Sequence, residues 1–175
     1  YVDTDYLQTY TDPENNQHTY AFDSKGRLVS DSLPNGGTIS LSRVEFGTDY
    51  TVSKTSPEGL VTTFAYENTG ENAGIKTITY PTGEQLIMEY GSDESVTYTK
   101  ENGLVISMMK APDPRFGMQR PYIAEHTTTF PSGATITTET ERELDWPDLD
   151  DLLYYTTATD TITSYGNAGS QTRED

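Results

Sequence analysis

The chain has 175 residues, with 28 acidic side chains against 11 basic ones and a net charge of −17. This balance excludes the basic face that double-stranded nucleic acid needs and disfavours anionic membrane surfaces. No apolar run approaches the roughly 20 residues of a spanning helix, so the sequence predicts no membrane insertion. Zero cysteines exclude disulfides, thiolate metal sites and cysteine nucleophiles. The start, Tyr1-Val2-Asp3-Thr4-Asp5, has neither the basic residues nor the apolar stretch of an intact signal peptide. Only 33% of residues are hydrophobic, yet 13 Tyr, 5 Phe and many Thr, Val and Ile argue for half-buried sheet rather than disorder.

In chain order, alternating or β-branched runs occur at Thr19 to Phe22, Thr38 to Val44, Leu60 to Tyr66, Ile75 to Tyr80, Gln85 to Tyr90, Ser95 to Thr99, Leu104 to Met109, His126 to Phe130, Ala134 to Thr140 and Tyr154 to Thr163. Each predicts a strand. The single stretch with helical spacing is Asp148 to Tyr155, where Leu149, Leu152 and Leu153 share a face after Pro147; it is equally consistent with a turn. Lys110 to Arg120, followed by Pro121, interrupts the pattern with three basic residues and two prolines and predicts a loop over 110–121 inserted between hairpins. Met108 and Met109 before it are sheet packing.

The punctuation is regular. Pro34-Asn35-Gly36, Pro57-Glu58-Gly59, Pro81-Thr82-Gly83 and Pro131-Ser132-Gly133 are four Pro-x-Gly triplets, where random placement of 9 prolines and 14 glycines gives about 0.7. Proline presets φ at the second position of a type I turn, and glycine supplies the left-handed residue of the bulge that follows. Lys100-Glu101-Asn102-Gly103 does the same with Asn-Gly. Gly36, Gly59, Gly83, Gly103 and Gly133 are spaced 23, 24, 20 and 30 residues apart, two strands and two turns per period. A second turn type alternates with the first. Tyr20-Ala21-Phe22-Asp23-Ser24-Lys25-Gly26-Arg27-Leu28 places two aromatics on one strand face before an Asp and a Gly. Phe64-Ala65-Tyr66-Glu67-Asn68-Thr69-Gly70 repeats it with Glu for Asp, and Tyr10 to Asn15 is a degenerate earlier copy.

The stretch Tyr20-x-Phe22-Asp23-x-x-Gly26-Arg27-Leu28 followed by Pro34-x-Gly36 resembles the YD repeat, also called the Rhs repeat. Residues 20–36 are the best copy; the resemblance extends over about 9–140 and thins to turns and Tyr/Thr strands. It implies an all-β fold of consecutive antiparallel β-hairpins in one long twisted sheet, an arc of a larger spiral or shell. Family members are mostly large secreted or cell-surface proteins: bacterial polymorphic toxins, cocoon subunits of insecticidal toxin complexes, and teneurins. In the toxin members the shell encloses a C-terminal toxin and is closed by a self-cleaving segment, which has no counterpart in this sequence. The resemblance therefore implies a fragment or short open array, residues 1–140, and an acidic segment over 141–175 with a terminal Thr/Tyr strand. Its partners would be the remainder of a larger Rhs-type chain or an enclosed cargo, and its residues would be structural: Tyr20, Phe22, Asp23, Gly26, Arg27, Leu28, Pro34, Gly36, Pro57, Gly59, Phe64, Tyr66, Pro81, Gly83, Gly103, Pro131 and Gly133.

Residues with chemistry are sparse. His18 and His126 have no His or Asp at a metal-ligand spacing, and no Gly-x-Ser-x-Gly elbow is present. Among 28 carboxylates nothing selects an acid/base pair, so the expectation is a non-enzyme without cofactor. Asp145-Trp146-Pro147-Asp148-Leu149-Asp150-Asp151 offers oxygen ligands for calcium but lacks the glycine and terminal Glu of an EF-hand loop; a solvated acidic turn explains it as well. Trp146 beside Tyr154 and Tyr155, the aromatic pairs Tyr20/Phe22 and Phe64/Tyr66, and the 110–121 segment support an alternative: an adhesin-like module recognising a glycan or a surface protein. Cross-strand aromatic packing accounts for the same pairs without a ligand.

Overall fold

The computed structural model describes residues 6–145, 154–166 and 169–174. It is all-β, with no helix among the described residues. Fourteen strands follow one another in sequence order in a single antiparallel sheet: β1 Thr9–Thr11, β2 Gln17–Phe22, β3 Leu28–Ser32, β4 Thr38–Phe46, β5 Asp49–Thr55, β6 Val61–Gly70, β7 Ala73–Thr79, β8 Gln85–Tyr90, β9 Val96–Lys100, β10 Val105–Asp113, β11 Gly117–Thr129, β12 Thr135–Asp145, β13 Thr157–Gly166 and β14 Gly169–Glu174. The chain divides into two compact units, Tyr1–Asn68 with Ile75–Gln85, and Thr69–Gly74 with Leu86–Asp175.

Eight of the turns share one hydrogen-bond pattern. The N–H of the fourth residue donates to the carbonyl of the first, and the N–H of the first donates to the carbonyl of the fifth, as in Gly36 to Leu33 (3.0 Å) and Leu33 to Gly37 (2.7 Å). The fourth residue has positive φ in every case: Asn15, Gly26, Gly36, Gly59, Gly83, Glu94, Gly103 and Gly133. Each turn also carries one side-chain acceptor, in one of two places. Asp12, Asp23 and Ser56 occupy the first position and accept the N–H groups of the third and fifth residues. Asn35, Thr82, Asp93, Asn102 and Ser132 occupy the third position and accept the N–H of the fifth. These are the Asx- and Ser/Thr-turn bonds that make such residues favour turns. All four Pro-x-Gly triplets sit at hairpin tips.

Because each strand reverses direction, alternate turns fall at the same end of the strands. In the first unit the turns at Pro34 and Pro57 are such neighbours, and a Cβ on Gly37 would lie 2.9 Å from Pro57 Cγ. In the second unit Pro131 rests against Gly103 in the same way, at 3.5 Å. In these two pairs the proline of one turn lies beside a glycine of the previous turn at that end. Gly36, Gly59 and Gly83 have open space where a Cβ would go, so substitution there tests backbone strain alone. We expect Gly36→Ala, Gly59→Ala and Gly83→Ala to cost about 1 kcal/mol each in urea unfolding. Gly36→Asn will cost less, because Asn15 already holds the same position at φ 64°. Three neutral alanine variants would contradict the turn assignment.

Three expectations from the sequence change. Residues 110–121 are not a loop: β10 and β11 continue pairing to a tip at 114–116, with Lys110 opposite Ile123 and Ala111 opposite Tyr122. Register shifts after Met109 and after Ala111 absorb the prolines, which cannot donate to the ladder. Phe64 to Gly70 does not repeat the Asp23 turn: Glu67 to Gly70 stays in β6, the Asn68 N–H donates to Asp49 Oδ1 across the sheet (2.9 Å), and the chain reverses at Glu71 and Asn72. The last run begins at Thr157 rather than Tyr154, and β12 runs through residue 140 without a break. Tyr154 and Tyr155 belong to neither helix nor strand, and residues 146–153, which include most of the candidate helix and the calcium reading, lie outside the described residues.

Side chains sort onto two chemically distinct faces. In the first unit one face carries the rows Glu45–Tyr50–Tyr66, Arg43–Val52–Phe64 and Leu41–Lys54–Thr62 across β4, β5 and β6. The other carries Ser40–Thr55–Val61, Ser42–Ser53–Thr63 and Val44–Thr51–Ala65. In the second unit Met88–Tyr98–Ile106–Thr128–Ile136 and Tyr90–Val96–Met108–His126–Thr138 line one face. Glu89–Thr97–Ser107–Thr127–Thr137–Tyr165 runs along the other. Hydroxyls bond across it, Thr127 to Thr137 at 2.9 Å. Among the described residues no apolar side chain is buried. Strand pairing and cross-strand contacts, rather than a core, hold each unit.

Candidate functional site

Two clusters of charged side chains stand out. The first grows from the Asp23 turn. Asp23 Oδ1 accepts the N–H groups of Lys25 and Arg27, both at 2.9 Å, while Oδ2 accepts from Arg27 Nε at 2.8 Å. This gives a physical reason for the Asp-x-x-Gly-Arg spacing: Gly26 at φ 77° turns the chain so that Arg27 returns over the carboxylate that caps the turn. Arg27 then reaches Glu45 on β4. Glu45 also receives Arg43 Nε at 2.9 Å and Lys25 Nζ at 3.1 Å. The Arg43 guanidinium lies 3.6 Å above the Tyr50 ring, and Tyr50 packs on Tyr66 with centroids 5.3 Å apart. Beside this cluster lies a cavity of about 520 Å³ lined by Asp23, Arg27, Leu28, Val29, Leu41, Ser42, Arg43 and Val52. That volume is within the usual range of small-molecule pockets.

Hydrogen bonds from Lys25, Arg43 and Arg27 lower the Glu45 pKa from 4.5 to about 2. The Arg27 backbone and side-chain bonds hold Asp23 below its ordinary value. Both carboxylates are therefore held ionised at neutral pH and are poor proton donors or acceptors there. Groups whose folded-state pKa is depressed stabilise the fold above their unfolded pKa, and that contribution disappears as pH falls through the folded value. The stability of the first unit should be flat from neutral pH down to about 4.5, then fall as pH approaches about 2. Circular dichroism across an acid series measures this, and Glu45→Gln should flatten the fall; an unchanged acid profile in that variant would refute the assignment.

The second cluster lies at the tip of the β10–β11 hairpin. The Asp113 side chain is fully buried. It accepts the Arg115 N–H at 2.9 Å, the Phe116 N–H at 3.3 Å and Arg142 Nη1 at 3.2 Å. Burial opposes its charge, but the Arg115 N–H, the Arg142 guanidinium and the Phe116 N–H outweigh that, so its pKa lies below the ordinary value. Arg142 also grips Asp160 with two bonds of 2.7 Å and lies 4.9 Å from the Tyr122 ring centroid. Arg115 stacks between Phe116 and Tyr155. The cluster clasps β10, β12 and β13 and leaves its polar atoms occupied, so it is structural.

Of the residues singled out from the sequence, Asp23, Arg27 and Leu28 meet at the first cavity. Phe22 packs on Tyr6 (centroids 5.1 Å), and Tyr20 stacks on His18 (6.1 Å), whose Nδ1 lies 2.9 Å from Asp31 Oδ1. Phe64 and Tyr66 lie on the apolar face of β6, away from any turn. The turn residues Pro34 to Gly36, Pro57 to Gly59, Pro81 to Gly83, Gly103 and Pro131 to Gly133 occupy hairpin tips. Among the described residues no group of three or more His, Asp or Glu is arranged to hold a metal ion. Glu45, Lys25, Arg43, Asp113, Arg142 and Asp160 were not singled out from the sequence. The signal for the first three was present: residues equidistant from a turn centre face each other, so the Asn35 turn pairs Asp31 with Ile39 and carries Arg27 and Arg43 to one end. The chain matches no family model and no curated protein.

Proposed function

We propose that this chain is a non-catalytic wall segment of a secreted or cell-surface YD/Rhs-type protein, a hairpin array that encloses or presents another polypeptide. The observation that carries this reading is the two-faced sheet. In each unit one face is the richer in aromatic and aliphatic side chains, sharing it with Arg43, Glu45 and Lys54 in the first unit, the other is mostly Ser and Thr, and no apolar side chain among the described residues is buried. A sheet with one apolar face gains stability when that face is covered and the hydroxyl face meets water. The Asp23–Gly26–Arg27 turn, where the side chain of Arg27 returns over the carboxylate that caps the hairpin, is the residue pattern that resembles the family's and supports this reading.

Hydroxyl-radical footprinting of the natural full-length protein tests this. Expected is strong protection of Met88, Met108, Tyr66 and Tyr98 on the apolar faces, with Met109 and Tyr165 on the hydroxyl face labelled freely. Equal labelling of both faces would overturn the wall reading. Protection that appears only on adding glycans or a second surface protein would favour an adhesin instead.

A further inference from the structure

We propose that the cavity between β3, β4 and β5 binds a small organic acid: one carboxylate on an apolar aliphatic or aromatic body. This goes beyond the wall reading and does not depend on it. The apolar lining comes from Leu28, Val29, Leu41 and Val52, and the polar lining from Ser42, Arg27, Arg43 and Asp23, whose carboxylate is already taken up by the Lys25 and Arg27 N–H groups and Arg27 Nε. Lys25, Arg27 and Arg43 stand against Asp23 and Glu45, three cations against two carboxylates. This corner therefore carries one surplus positive charge in a chain of −17. A field of that kind draws a single negative charge to this corner while the rest of the surface repels it.

The donors suit a carboxylate. Arg27 uses Nε on Asp23 and Nη1 on Glu45, and Arg43 uses Nε on Glu45. Nη2 of Arg27 and both terminal nitrogens of Arg43 have no hydrogen-bond partner among the described residues. Stacking on Tyr50 fixes the Arg43 guanidinium plane, so its free edge is pre-oriented for planar, bidentate recognition. Glu45, already holding three donors, does not compete for a ligand's protons. A neutral apolar ligand would desolvate these nitrogens without replacing their water, and a cation would meet three like charges. A dianionic phosphate exceeds the single surplus charge.

Calorimetric titration of the whole chain with decanoate, decanol and decyltrimethylammonium tests this, together with amide chemical-shift mapping. Expected is one saturable decanoate site, with shifts confined to residues 23–29, 41–43 and 52, and no saturable binding of decyltrimethylammonium. Decanol should bind about tenfold more weakly or worse, the loss of a charge-assisted bond. Arg43→Gln should lower decanoate affinity by about tenfold or more without lowering decanol affinity, since a neutral ligand gains nothing from the guanidinium. Arg43→Lys keeps the charge beside Glu45 but removes the planar fork, so it should also weaken decanoate and serves if Arg43→Gln fails to fold. No saturable binding, equal affinity for decanol, shifts spread over the second unit, or an unaltered affinity in a folded Arg43 variant would each overturn the proposal.

Discussion

Replacing Asp113 by Ala will lower stability by about 2–3 kcal/mol and loosen β10 to β13, the largest effect we expect of any single substitution. The side chain is fully buried and accepts from two backbone N–H groups and from the Arg142 and Arg115 guanidinium groups, so truncation leaves four donors without this acceptor. Breaking a deeply buried pair costs more, about 3–5 kcal/mol, but Arg142 is 27% exposed and keeps Asp160, so water compensates part of the loss. Asp113→Asn keeps an oxygen for the Arg115 and Phe116 N–H groups but loses the charge and sets an NH2 donor against Arg142 Nη1, so it should recover only part of the loss seen with Ala. Asp160→Ala should cost less, because that carboxylate is 39% exposed. Replacing Asp113 and Arg142 together by Leu and Met should not recover the loss, because the Arg115 and Phe116 N–H groups stay without their acceptor and Asp160 loses both of its bonds. Urea unfolding followed by tyrosine fluorescence measures the series. An Asp113→Ala variant within about 0.5 kcal/mol of wild type, the ordinary range of a surface change, would mean that the cluster is not a clasp.

What the sequence revealed depended on whether the determinant was local. Turn chemistry is local: Pro34, Gly36, Asp23 and Gly26 specify their conformation within five residues, and each sits at a hairpin tip. Strands with alternating Thr and Tyr were visible for the same reason. Strands β3, Leu-Val-Ser-Asp-Ser, and β5, Asp-Tyr-Thr-Val-Ser-Lys-Thr, were not: β3 has only two apolar residues, adjacent to each other, and the alternation of β5 is carried by only Tyr50 and Val52. The turns that precede them, at Asp23 and at Gly47-Thr48, also lack proline. The prolines of 110–121 misled in the opposite direction, since a bulged hairpin tolerates them where a regular ladder does not. Neither charged cluster was legible. Arg142 meets Asp113 across 29 residues and Asp160 across 18: the register of β12 on β13 sets it opposite Asp160, and Asp113 arrives from the bulged β10–β11 hairpin. The hub at Glu45 needed the same information from two hairpins at once.

The second large effect concerns the end of the sheet. Removing residues 167–175 should convert a monomer into a self-associating protein as salt rises. The sequence placed the terminal strand at Tyr154 to Thr163, which carries one charge, Asp160. The structure puts that strand inside, as β13, paired along ten residues with β12 and along six with β14. Its alternation of Thr, Ile and Ala is suited to strand pairing, and its charge is already neutralised by Arg142. The last strand is instead β14, Gly-Ser-Gln-Thr-Arg-Glu, with two charged residues of the kind that discourage edge pairing. At the other end β1 has three residues, followed by Asp12 and Pro13, and a short strand next to proline is likewise a poor template. Deleting 167–175 uncovers the N–H and C=O groups of β13 along half its length. At low salt the net negative charge still opposes association; at physiological salt the Debye length shortens to about 8 Å and that repulsion no longer reaches between molecules. Light scattering across a salt series should show the intact chain monomeric throughout and the shortened chain growing in mass as salt is added. Growth of the intact chain to the same extent would show that β14 does not protect the edge, and a shortened chain that stays monomeric would show that β13 pairs poorly on its own.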